Sequence, residues 1–420
     1  MNLPDKKKTN IAFYTLDFKT SGVFKIISTL SQNIPSDYNL HIFVSDEHDE
    51  NFIPAFKVAG NVHYFNIKDP SSRNPIKKIY KNYLRKKLLK KAKKDYNIDL
   101  TVTFSENPNL HNIFTRHNDK IIVSVHSYTS INIAEDIKNR LYSLMYKRLI
   151  KYFNRADKII AISSGIKTDL ISNFGIKDDL VEVLYNPHDI NNIIEMSQKE
   201  LPAEYKYLFE SKFTIINIGR ISTSKGHWHL IRAFRIVKKK IPEAVLIIIG
   251  DGKKDLTELL KILISDLGLS DAVYFLGFQA NPYVFMKNAN IYAASSIFEG
   301  LPNVLIECMA CGTPVISTDC TSGPREILAP GTDFSYVTES IEKAVFGILT
   351  PPVGRDILSS SVPITNEETL LAEAMIMLYN DSDLRSSYSD KGRQRAADFN
   401  IENTINNYGI LFKKVLKQYE

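Results

Sequence analysis

The stretch NIYAASSIFEGLPNVLIECMACGTPVIST, residues 290–318, contains a strand-like apolar run, a loop, a helical pattern and a second strand-like run. Pro302 suits the first turn of a helix, because it lacks an N–H that would have no acceptor there. We therefore expect the helix to begin at about 301–302 and to end at Gly312. The spacing i, i+3, i+4, i+7 predicts that the buried face of this helix consists of Leu301, Val304, Leu305 and Cys308. The order strand, helix, strand is typical of parallel β-α-β units.

The same alternation extends over nearly the whole chain. In the first part the predicted strands lie near 10–16, 40–44, 62–66, 100–104, 120–125, 157–162 and 181–184. The helices predicted between them lie near 22–33, 76–95, 133–153 and 164–173. A second series of strands is predicted at 213–219, 244–250, 272–278, 290–296 and 314–318. We expect an α/β protein in which two Rossmann-like, doubly wound domains face a cleft.

Chain length supports two domains, because 420 residues are more than one core usually fills. The first would cover 1–187 and the second 188–400. We interpret the polar stretch 186–212 as the connection between them. We interpret 329–365 as an insertion or loop, because it is rich in Pro, Gly, Ser and Thr and lacks sustained periodicity. Three helical patterns complete the chain: 366–380, 382–397 and 401–418.

The composition excludes several classes of protein. With 44% hydrophobic residues it is neither disordered nor fibrous. No run reaches the ~18 apolar residues that a membrane span needs, and the N-terminus has no export signal, so we expect a cytoplasmic protein. Cys308, Cys311 and Cys320 have no second Cys or His cluster to complete a zinc site. We interpret them as reduced packing thiols.

Two glutamates, Glu299 and Glu307, accompany the helix of the opening stretch. Glu299 lies in the loop at the carboxyl end of a strand, where α/β sheets bind ligands. The amides of 300–304 could hold a phosphate at the helix N-terminus, with Glu307 roughly 7–8 Å farther along. Carboxylates accept hydrogen bonds from sugar hydroxyls. A ligand with a sugar on either side of a diphosphate would therefore offer hydroxyl donors to both glutamates. Without further support, the pair is also explained by one glutamate that caps the helix and another that lies on a solvated helix face.

A second strand-to-helix loop, NIGRISTSKG at 217–226, supplies cations at the same edge of the predicted sheet. Arg220 and Lys225 lie beside Gly219 and Gly226, where backbone can approach a ligand closely. Arginine would bind a diphosphate through its fork of donors and lysine as a point charge.

These motifs resemble a known family. F-E-G-L-P-N-V-L-I-E followed by A-C-G-T-P-V-I, with G-R-x4-K-G upstream, closely resembles the retaining nucleotide-sugar glycosyltransferases of the GT-B fold, family 4. ADKIIAISSGIKTDLISNFGI followed by VEVLYNPHDI is similar to the family's domain junction, and DFNIENTINNYGILFKKVL to its closing helix. The resemblance implies that 1–187 is the acceptor-side domain, that 188–400 binds the nucleotide sugar, and that 401–420 packs back on the first domain.

The resemblance also implies roles for the matching residues. Arg220 and Lys225 would hold the donor diphosphate. Glu307 would bind the ribose hydroxyls, while Glu299 and His126 would lie near the donor sugar. The remaining positions implied to bind the donor are Gly22, Gly219, Phe278, Gly300, Leu301, Pro302, Asn303 and Val304. At Gly22 this chain has Ser21-Gly22 where the family usually has two consecutive glycines.

The implied reaction moves a hexose or N-acetylhexosamine from a UDP-sugar to a glycan or lipid-linked glycan in bacterial surface polysaccharide or glycoconjugate synthesis. Front-face attack, with the leaving phosphate taking the acceptor proton, would retain the anomeric configuration. Fixed donors would stabilise the charge that develops on the diphosphate, so no metal or other cofactor is expected. Two alternatives remain: an epimerase or phosphorylase of the same fold, and a polyanion- or nucleic-acid-binding protein. No nucleic-acid module is recognised, and no nucleic-acid partner is expected.

Charge is distributed unevenly along the chain. Residues 1–187 carry 29 Lys and Arg against 19 Asp and Glu, although the whole chain has a net charge of only +6. Most of the excess lies in 74–96, with ten basic residues against Asp95. The apolar stripe predicted along this helix consists of Ile76, Tyr80, Tyr83, Leu84, Leu88 and Ala92. Either this helix faces the core, or it attaches the protein peripherally to the cytoplasmic face of an anionic inner membrane.

Overall fold

The computed structural model describes residues 8–18, 22–47, 57–68, 75–135 and 140–417. The chain divides into two compact units, the first formed by Met1–Pro187 together with Ile401–Glu420 and the second by His188–Asn400. Each unit contains a seven-stranded sheet. No helix in the described ranges is long and apolar enough to cross a bilayer.

The first unit has a sheet whose paired strands are all parallel. Its strands are β1 (Thr9–Thr15), β2 (Tyr38–Asp46), β3 (Asn61–Ile67), β4 (Leu100–Thr103), β5 (Lys120–Val125), β6 (Lys158–Ala161) and β7 (Val181–Val183). Their order is β3-β2-β1-β4-β5-β6-β7. The helices are α1 (Gly22–Asn33), α2 (Pro75–Asp95), α3 (Glu106–Phe114), α4 (Thr129–Glu135), α5 (Arg140–Ile150) and α6 (Ser164–Phe174). A 3-10 helix, Lys151–Arg155, follows α5.

The second unit has the same topology over its first five strands. Its helices are α7 (Ile190–Ser197), α8 (His227–Lys240), α9 (Lys254–Asp266), α10 (Tyr283–Asn288), α11 (Asn303–Cys311), α12 (Pro324–Leu328), α13 (Asn366–Asn380) and α14 (Ser382–Ala397). Its strands are β8 (Phe213–Ile218), β9 (Ala244–Ile249), β10 (Val273–Gly277), β11 (Ile291–Ala294), β12 (Val315–Thr318), β13 (Glu342–Ala344) and β14 (Gly347–Thr350). The order is β10-β9-β8-β11-β12-β14-β13, and only the short β13 is antiparallel to its neighbour. The two doubly wound sheets confirm the predicted α/β fold.

The last helix, α15 (Ile401–Leu416), belongs to the first unit. Tyr408, Leu411 and Phe412 are buried in the same core as Tyr38 and Leu40 of β2. The ring of Phe412 meets that of Tyr38 edge to face, with 6.2 Å between centroids.

Several predicted boundaries are wrong. The stretch 329–365 is not a simple loop, because it contains β13 and β14, and β14 pairs in parallel with β12. These strands have only three and four residues, too few for a periodic pattern. The connection 186–212 contains α7, and the helix predicted at 133–153 corresponds to the end of α4, to α5 and to the 3-10 helix Lys151–Arg155, with 136–139 outside the described residues.

Helix α3 was not predicted, because half of its buried residues are polar. The buried Asn109 donates to the carbonyl of Ser124 at 2.8 Å, and the buried Asn112 donates to that of Thr101 at 3.1 Å. These amides hydrogen-bond to residues of neighbouring strands instead of contributing apolar contacts. Hydrophobic periodicity cannot reveal such a helix.

The predicted apolar stripe of α2 is wrong in its first half. Ile76, Tyr80 and Tyr83 are exposed, whereas Leu89 and Ala92, farther along the helix, are buried. The inward face of the first half contains Lys81 and Arg85, which pair with Asp46 of β2. Because a carboxylate on the sheet neutralises these cations, charged side chains take the inward positions.

Candidate functional site

The site lies where the strand order of the second sheet reverses. β8 pairs with β11, but the chain continues from β8 to β9 on one side and from β11 to β12 on the other. The loops that leave two such strands diverge and form a crevice at their carboxyl ends, where doubly wound sheets bind ligands. The two loops here are 219–226 and 295–302. They carry both motifs that the sequence singled out.

The two loops are hydrogen-bonded to each other. The amide of Ile297 donates to the carbonyl of Ser224 at 2.8 Å, and the Ser295 hydroxyl donates to the carbonyl of Gly226 at 2.9 Å. Gly226 has a φ of +57°, and a Cβ on it would lie 2.4 Å from the carbonyl oxygen of Ser295. Only glycine allows this turn and this close approach.

We predict that Gly226→Ala destabilises the protein by about 1–3 kcal/mol, through backbone strain and overlap with Ser295. Gly268→Ala is the matched control, since Gly268 has a φ of +67° but no atom within 4 Å of the Cβ position. Urea unfolding should show a larger loss of stability for Gly226→Ala than for the control. Equal losses would mean that the approach of the two loops contributes nothing.

Lys225 and Glu299 meet across the two loops. The Nζ of Lys225 lies 2.5 Å from the Oε1 of Glu299, and both side chains are largely buried. The Ser296 hydroxyl donates to the same Oε1 at 2.6 Å. The carboxylate thus fixes the direction of the ammonium group, which has three N–H donors and keeps capacity for an anion.

Arg220 differs from Lys225 in being exposed. Within the described ranges its guanidinium makes no ion pair or hydrogen bond. Gly219, the residue before it, lies against Lys225, because a Cβ there would be 3.4 Å from the lysine Cε. The loop therefore presents one fixed cation and one cation with its donors available.

Helix α11 begins later than the sequence predicted. Pro302 is its N-cap and Asn303 its first residue. The amide of Asn303 donates to the carbonyl of Leu301, whereas the amides of Gly300, Leu301 and Val304 have no acceptor in the described part of the chain. These three N–H groups and the positive end of the helix dipole can bind an anion.

The predicted stripe of α11 is also incomplete. Leu301, Leu305 and Cys308 are buried as expected, but Val304 is only half-buried and Ile306 is fully buried. The helix packs against α7, α10 and α14 in addition to the sheet. It is therefore apolar on more than one face.

Glu307 and Phe278 lie at different depths. Glu307 is half-buried on α11, one turn after Asn303, which is half-buried too. Phe278 follows β10 and is exposed, next to Gly277, whose φ is +64°. Its exposed ring is suitable for stacking on a flat ligand group.

Two predicted residues, Gly22 and His126, belong to the first unit. Gly22 begins α1, and a Cβ there would meet no atom within 4 Å, while Ser21 lies outside the described residues. His126 follows β5 and shares a hydrogen bond of 2.9 Å with the Ser124 hydroxyl through Nε2. Its buried Nδ1 has no partner in the described chain. Burial lowers the pKa of His126 to about 4, so the ring is neutral at pH 7.

Sequence reasoning missed supporting residues around these loops. Ser295 is the small hydroxyl residue directly after β11, and its position at a strand end was the available signal. His227, the first residue of α8, is buried, and its two ring nitrogens have no partner in the part of the chain described. Burial and the neighbouring charge of Lys225 lower the pKa of His227 to about 3.

The described residues contain no group of three or more His, Cys, Asp or Glu side chains that could hold a metal ion. An Asp-x-Asp run at 381–383 lies at the start of α14, where Asp381 caps the helix by accepting from the amide of Leu384 at 2.8 Å. The three cysteines are buried and unbridged, in agreement with packing thiols. Burial raises the pKa of Cys311 to about 12.

Comparison with known proteins identifies the family and the fold. Residues 20–192 match the family model described as Glycosyltransferase Family 4, and residues 203–349 match Glycosyl transferases group 1. Solved structures with the GT-B fold resemble most of the chain. HepE of Anabaena in complex with UDP-glucose superimposes with a TM-score of 0.72 at 20% identity, over 96% of this chain and 99% of that one.

Two relatives in sequence cover most of the chain. An uncharacterized glycosyltransferase of Methanocaldococcus jannaschii is 36% identical over 354 residues, 81% of this chain and 86% of that protein. The N-acetylgalactosamine-N,N'-diacetylbacillosaminyl-diphospho-undecaprenol 4-alpha-N-acetylgalactosaminyltransferase of Campylobacter jejuni is 30% identical over 395 residues, 94% of this chain and 96% of that protein. The chain belongs to the GT-B glycosyltransferases, family 4.

Proposed function

We propose that this glycosyltransferase moves a hexose or N-acetylhexosamine from a UDP-sugar to a glycan or lipid-linked glycan, retains the anomeric configuration and needs no metal ion. The observation that carries the proposal is the Lys225–Glu299 pair, which joins the two loops at the strand-order reversal of the second sheet. The relative from Campylobacter jejuni, which is named for a diphospho-undecaprenol-linked acceptor, supports a lipid-linked acceptor. HepE, solved with UDP-glucose, supports the donor class.

The donor diphosphate would bind between two cations and the start of α11. The exposed guanidinium of Arg220 can donate two parallel hydrogen bonds to phosphate oxygens. Lys225 is held in place by Glu299 and can donate its remaining N–H groups. The amides of Gly300, Leu301 and Val304 supply further donors. Together these groups can stabilise the charge of a diphosphate, which is why we propose catalysis without a metal ion.

In the proposed reaction the bond between the anomeric carbon and the diphosphate oxygen breaks. A new bond forms from the acceptor hydroxyl oxygen to the same face of that carbon, and the hydroxyl proton passes to the leaving phosphate. The donors around Arg220 and Lys225 stabilise the charge that grows on the diphosphate, and fixed donors of this kind contribute about 2.7–4 kcal/mol each. Glu299 accepts hydrogen bonds from Lys225 and Ser296 and so orients the lysine. Its further proposed role is to orient the donor sugar.

Glu307 is proposed to accept hydrogen bonds from the ribose of the nucleotide. Because a hydrogen bond to a charged group contributes about 1.5–3 kcal/mol, Glu307→Ala should bind UDP roughly 10–100-fold more weakly in calorimetry. The variant should also lose the preference for UDP over 2′-deoxy-UDP, since both changes remove the same contact. Glu258→Ala, at an exposed position on α9, is the control. Unchanged UDP affinity in Glu307→Ala would remove the assignment.

The proposed activity can be tested with a panel of nucleotide sugars and polyprenyl-diphosphate-linked sugar acceptors, with and without EDTA. We expect one UDP-sugar to give an elongated acceptor, an α-linkage by NMR from an α-linked donor, and the same rate in EDTA. An inverted linkage would contradict retention, and loss of activity in EDTA would contradict metal independence. An epimer formed from the donor alone, or a product that requires phosphate in place of the acceptor, would identify one of the rival enzyme classes.

A further inference from the structure

Helix α2 has an inward face whose cations are fixed by the sheet. The guanidinium of Arg85 lies 2.7 Å from an oxygen of Asp46, and the ammonium of Lys93 lies 2.8 Å from Asp119. Lys93 and Asp119 are completely buried, and burial lowers the pKa of Lys93 to about 8. These pairs determine which side of α2 faces outward.

The outward face of the first half of α2 exposes large apolar side chains. Ile79 is 70% exposed, Tyr80 60% and Tyr83 55%. The two tyrosine rings are stacked at 6.4 Å between centroids. Lys77 and Lys78 are exposed beside them. Exposed apolar side chains surrounded by charged residues typically mark an interaction surface.

A chain of ring and cation contacts continues this surface beyond α2. The Nζ of Lys86 lies 5.7 Å from the ring centroid of Phe114, at the end of α3. Phe114 is 5.1 Å from Tyr152 in the 3-10 helix after α5, and the guanidinium of Arg155 lies 5.6 Å from the Tyr152 ring. Both rings are about two-fifths exposed. Beside them is a cavity of about 380 Å³ lined by Ile113, Phe114, Arg116 and Arg155.

The charge of this surface is predominantly positive. Helix α2 carries ten basic residues and only Asp95, which pairs with Lys91 at 3.4 Å. The stretch 140–155, which contains Tyr152, has five basic residues and no acidic one. A partner must therefore be anionic and must also accept isoleucine and tyrosine side chains.

We propose that the α2 surface, defined as the outward side chains of 77–90 with Phe114, Tyr152 and Arg155, docks on an anionic lipid bilayer. Lysine and arginine near such a surface each contribute about 1 kcal/mol of attraction. Tyrosine is favoured at the level of the lipid headgroups, with its ring in the apolar region and its hydroxyl in water. Ile79 would enter the acyl region, as apolar residues of interfacial helices do. The docking deepens the proposed function, because it would bring the enzyme to a lipid-linked acceptor.

Co-sedimentation with vesicles of phosphatidylglycerol, compared with vesicles of phosphatidylcholine, tests the proposal. The wild-type protein should bind phosphatidylglycerol, more weakly at high salt, and should bind phosphatidylcholine much less. Removing two of the contributing charges in Lys77→Gln/Lys78→Gln should weaken binding roughly 30-fold at low salt. Ile79→Ser/Tyr83→Ser should also weaken binding, with an effect that persists at high salt.

Matched controls come from the second unit. Lys239→Gln/Lys240→Gln removes two exposed lysines at the end of α8, and Leu259→Ser/Ile262→Ser removes two exposed apolar side chains of α9. Both control variants should bind vesicles as the wild type does. Equal loss in the α2 variants and their controls, or no salt-sensitive binding to phosphatidylglycerol, would overturn the proposal. So would α2 variants that bind vesicles normally but lose binding to single-stranded nucleic acid.

Turnover with a water-soluble, short-chain acceptor separates this proposal from the proposed function. The α2 variants should keep wild-type turnover with that acceptor and lose activity only when the acceptor is presented in phosphatidylglycerol vesicles. If no nucleotide sugar is turned over but vesicle binding follows the predicted pattern, the proposed function fails and the docking surface stands. Equal activity of the α2 variants and the wild type on vesicles would show that the surface does not serve the reaction.

Discussion

Replacing Arg220 by alanine is expected to lower the turnover number about 10²–10³-fold while the protein stays folded. The guanidinium is exposed and has no partner within the described ranges, so its loss breaks no contact seen there. In the proposed reaction it donates to a diphosphate whose charge grows as the glycosidic bond breaks. Steady-state kinetics with the preferred donor measures the effect, and thermal unfolding verifies the fold.

Arg220→Lys and Lys240→Ala complete the Arg220 experiment. Arg220→Lys keeps the charge but cannot donate two parallel hydrogen bonds to phosphate oxygens. Its turnover should therefore lie between those of the wild type and the alanine variant. Lys240→Ala removes an exposed cation from the far end of α8 and should leave turnover unchanged. Near-normal turnover in Arg220→Ala would mean that the diphosphate is stabilised by other groups.

The largest expected loss of stability is that of Glu368→Ala, about 3–5 kcal/mol. Glu368 is buried at the start of α13 and accepts from the Nε of Arg232 and the Nδ1 of His229, each at 2.8 Å. The Arg232 side chain is equally buried and also donates to the carbonyl of Pro363 at 2.8 Å. Removing the carboxylate leaves a buried guanidinium without its counter-ion. Urea unfolding should detect the loss.

Glu373→Ala provides the matched control, because Glu373 is exposed on the same helix and its loss should change stability by less than about 0.5 kcal/mol. A small effect of Glu368→Ala, similar to that of the control, would show that other groups compensate the charge of Arg232.

The same contacts link stability to pH. Burial raises the pKa of Glu368, but hydrogen bonds from His229, Arg232 and the amide of Thr365 outweigh burial and lower this pKa below 4.5. Its stabilising contribution is therefore present above pH 4.5 and is lost as pH falls below that value.

This buried cluster explains part of what the sequence could not predict. The stretch 351–365 has no apolar period, and it is held by polar contacts from α8, including the donation of His229 to the carbonyl of Gly354 at 3.0 Å. Helix α3 was missed for a related reason, since Asn109 and Asn112 face inward. Patterns of hydrophobicity predict elements that pack through apolar faces, and polar anchoring leaves no such pattern.

The loops of the candidate site were predictable because glycine, proline and strand ends mark them. The sequence placed Lys225 and Glu299 at one edge of the same sheet, but not in contact. Their pairing depends on the close approach at Gly226, which joins segments separated by about seventy residues. Side-chain exposure on α2 was predicted less well, because the inward cations that turn Tyr80 and Tyr83 outward are neutralised by Asp46. That acid lies far away in sequence.

The central claim is that the second unit binds a nucleoside diphosphate at the crevice between the loops after β8 and β11. A crystal structure with bound UDP, grown without divalent cations, tests it most directly. The account predicts diphosphate oxygens at hydrogen-bond distance, about 2.7–3.2 Å, from Arg220, Lys225 and an amide at the start of α11, with the ribose at Glu307. A UDP molecule bound elsewhere, with those side chains directed away from it, would contradict the account.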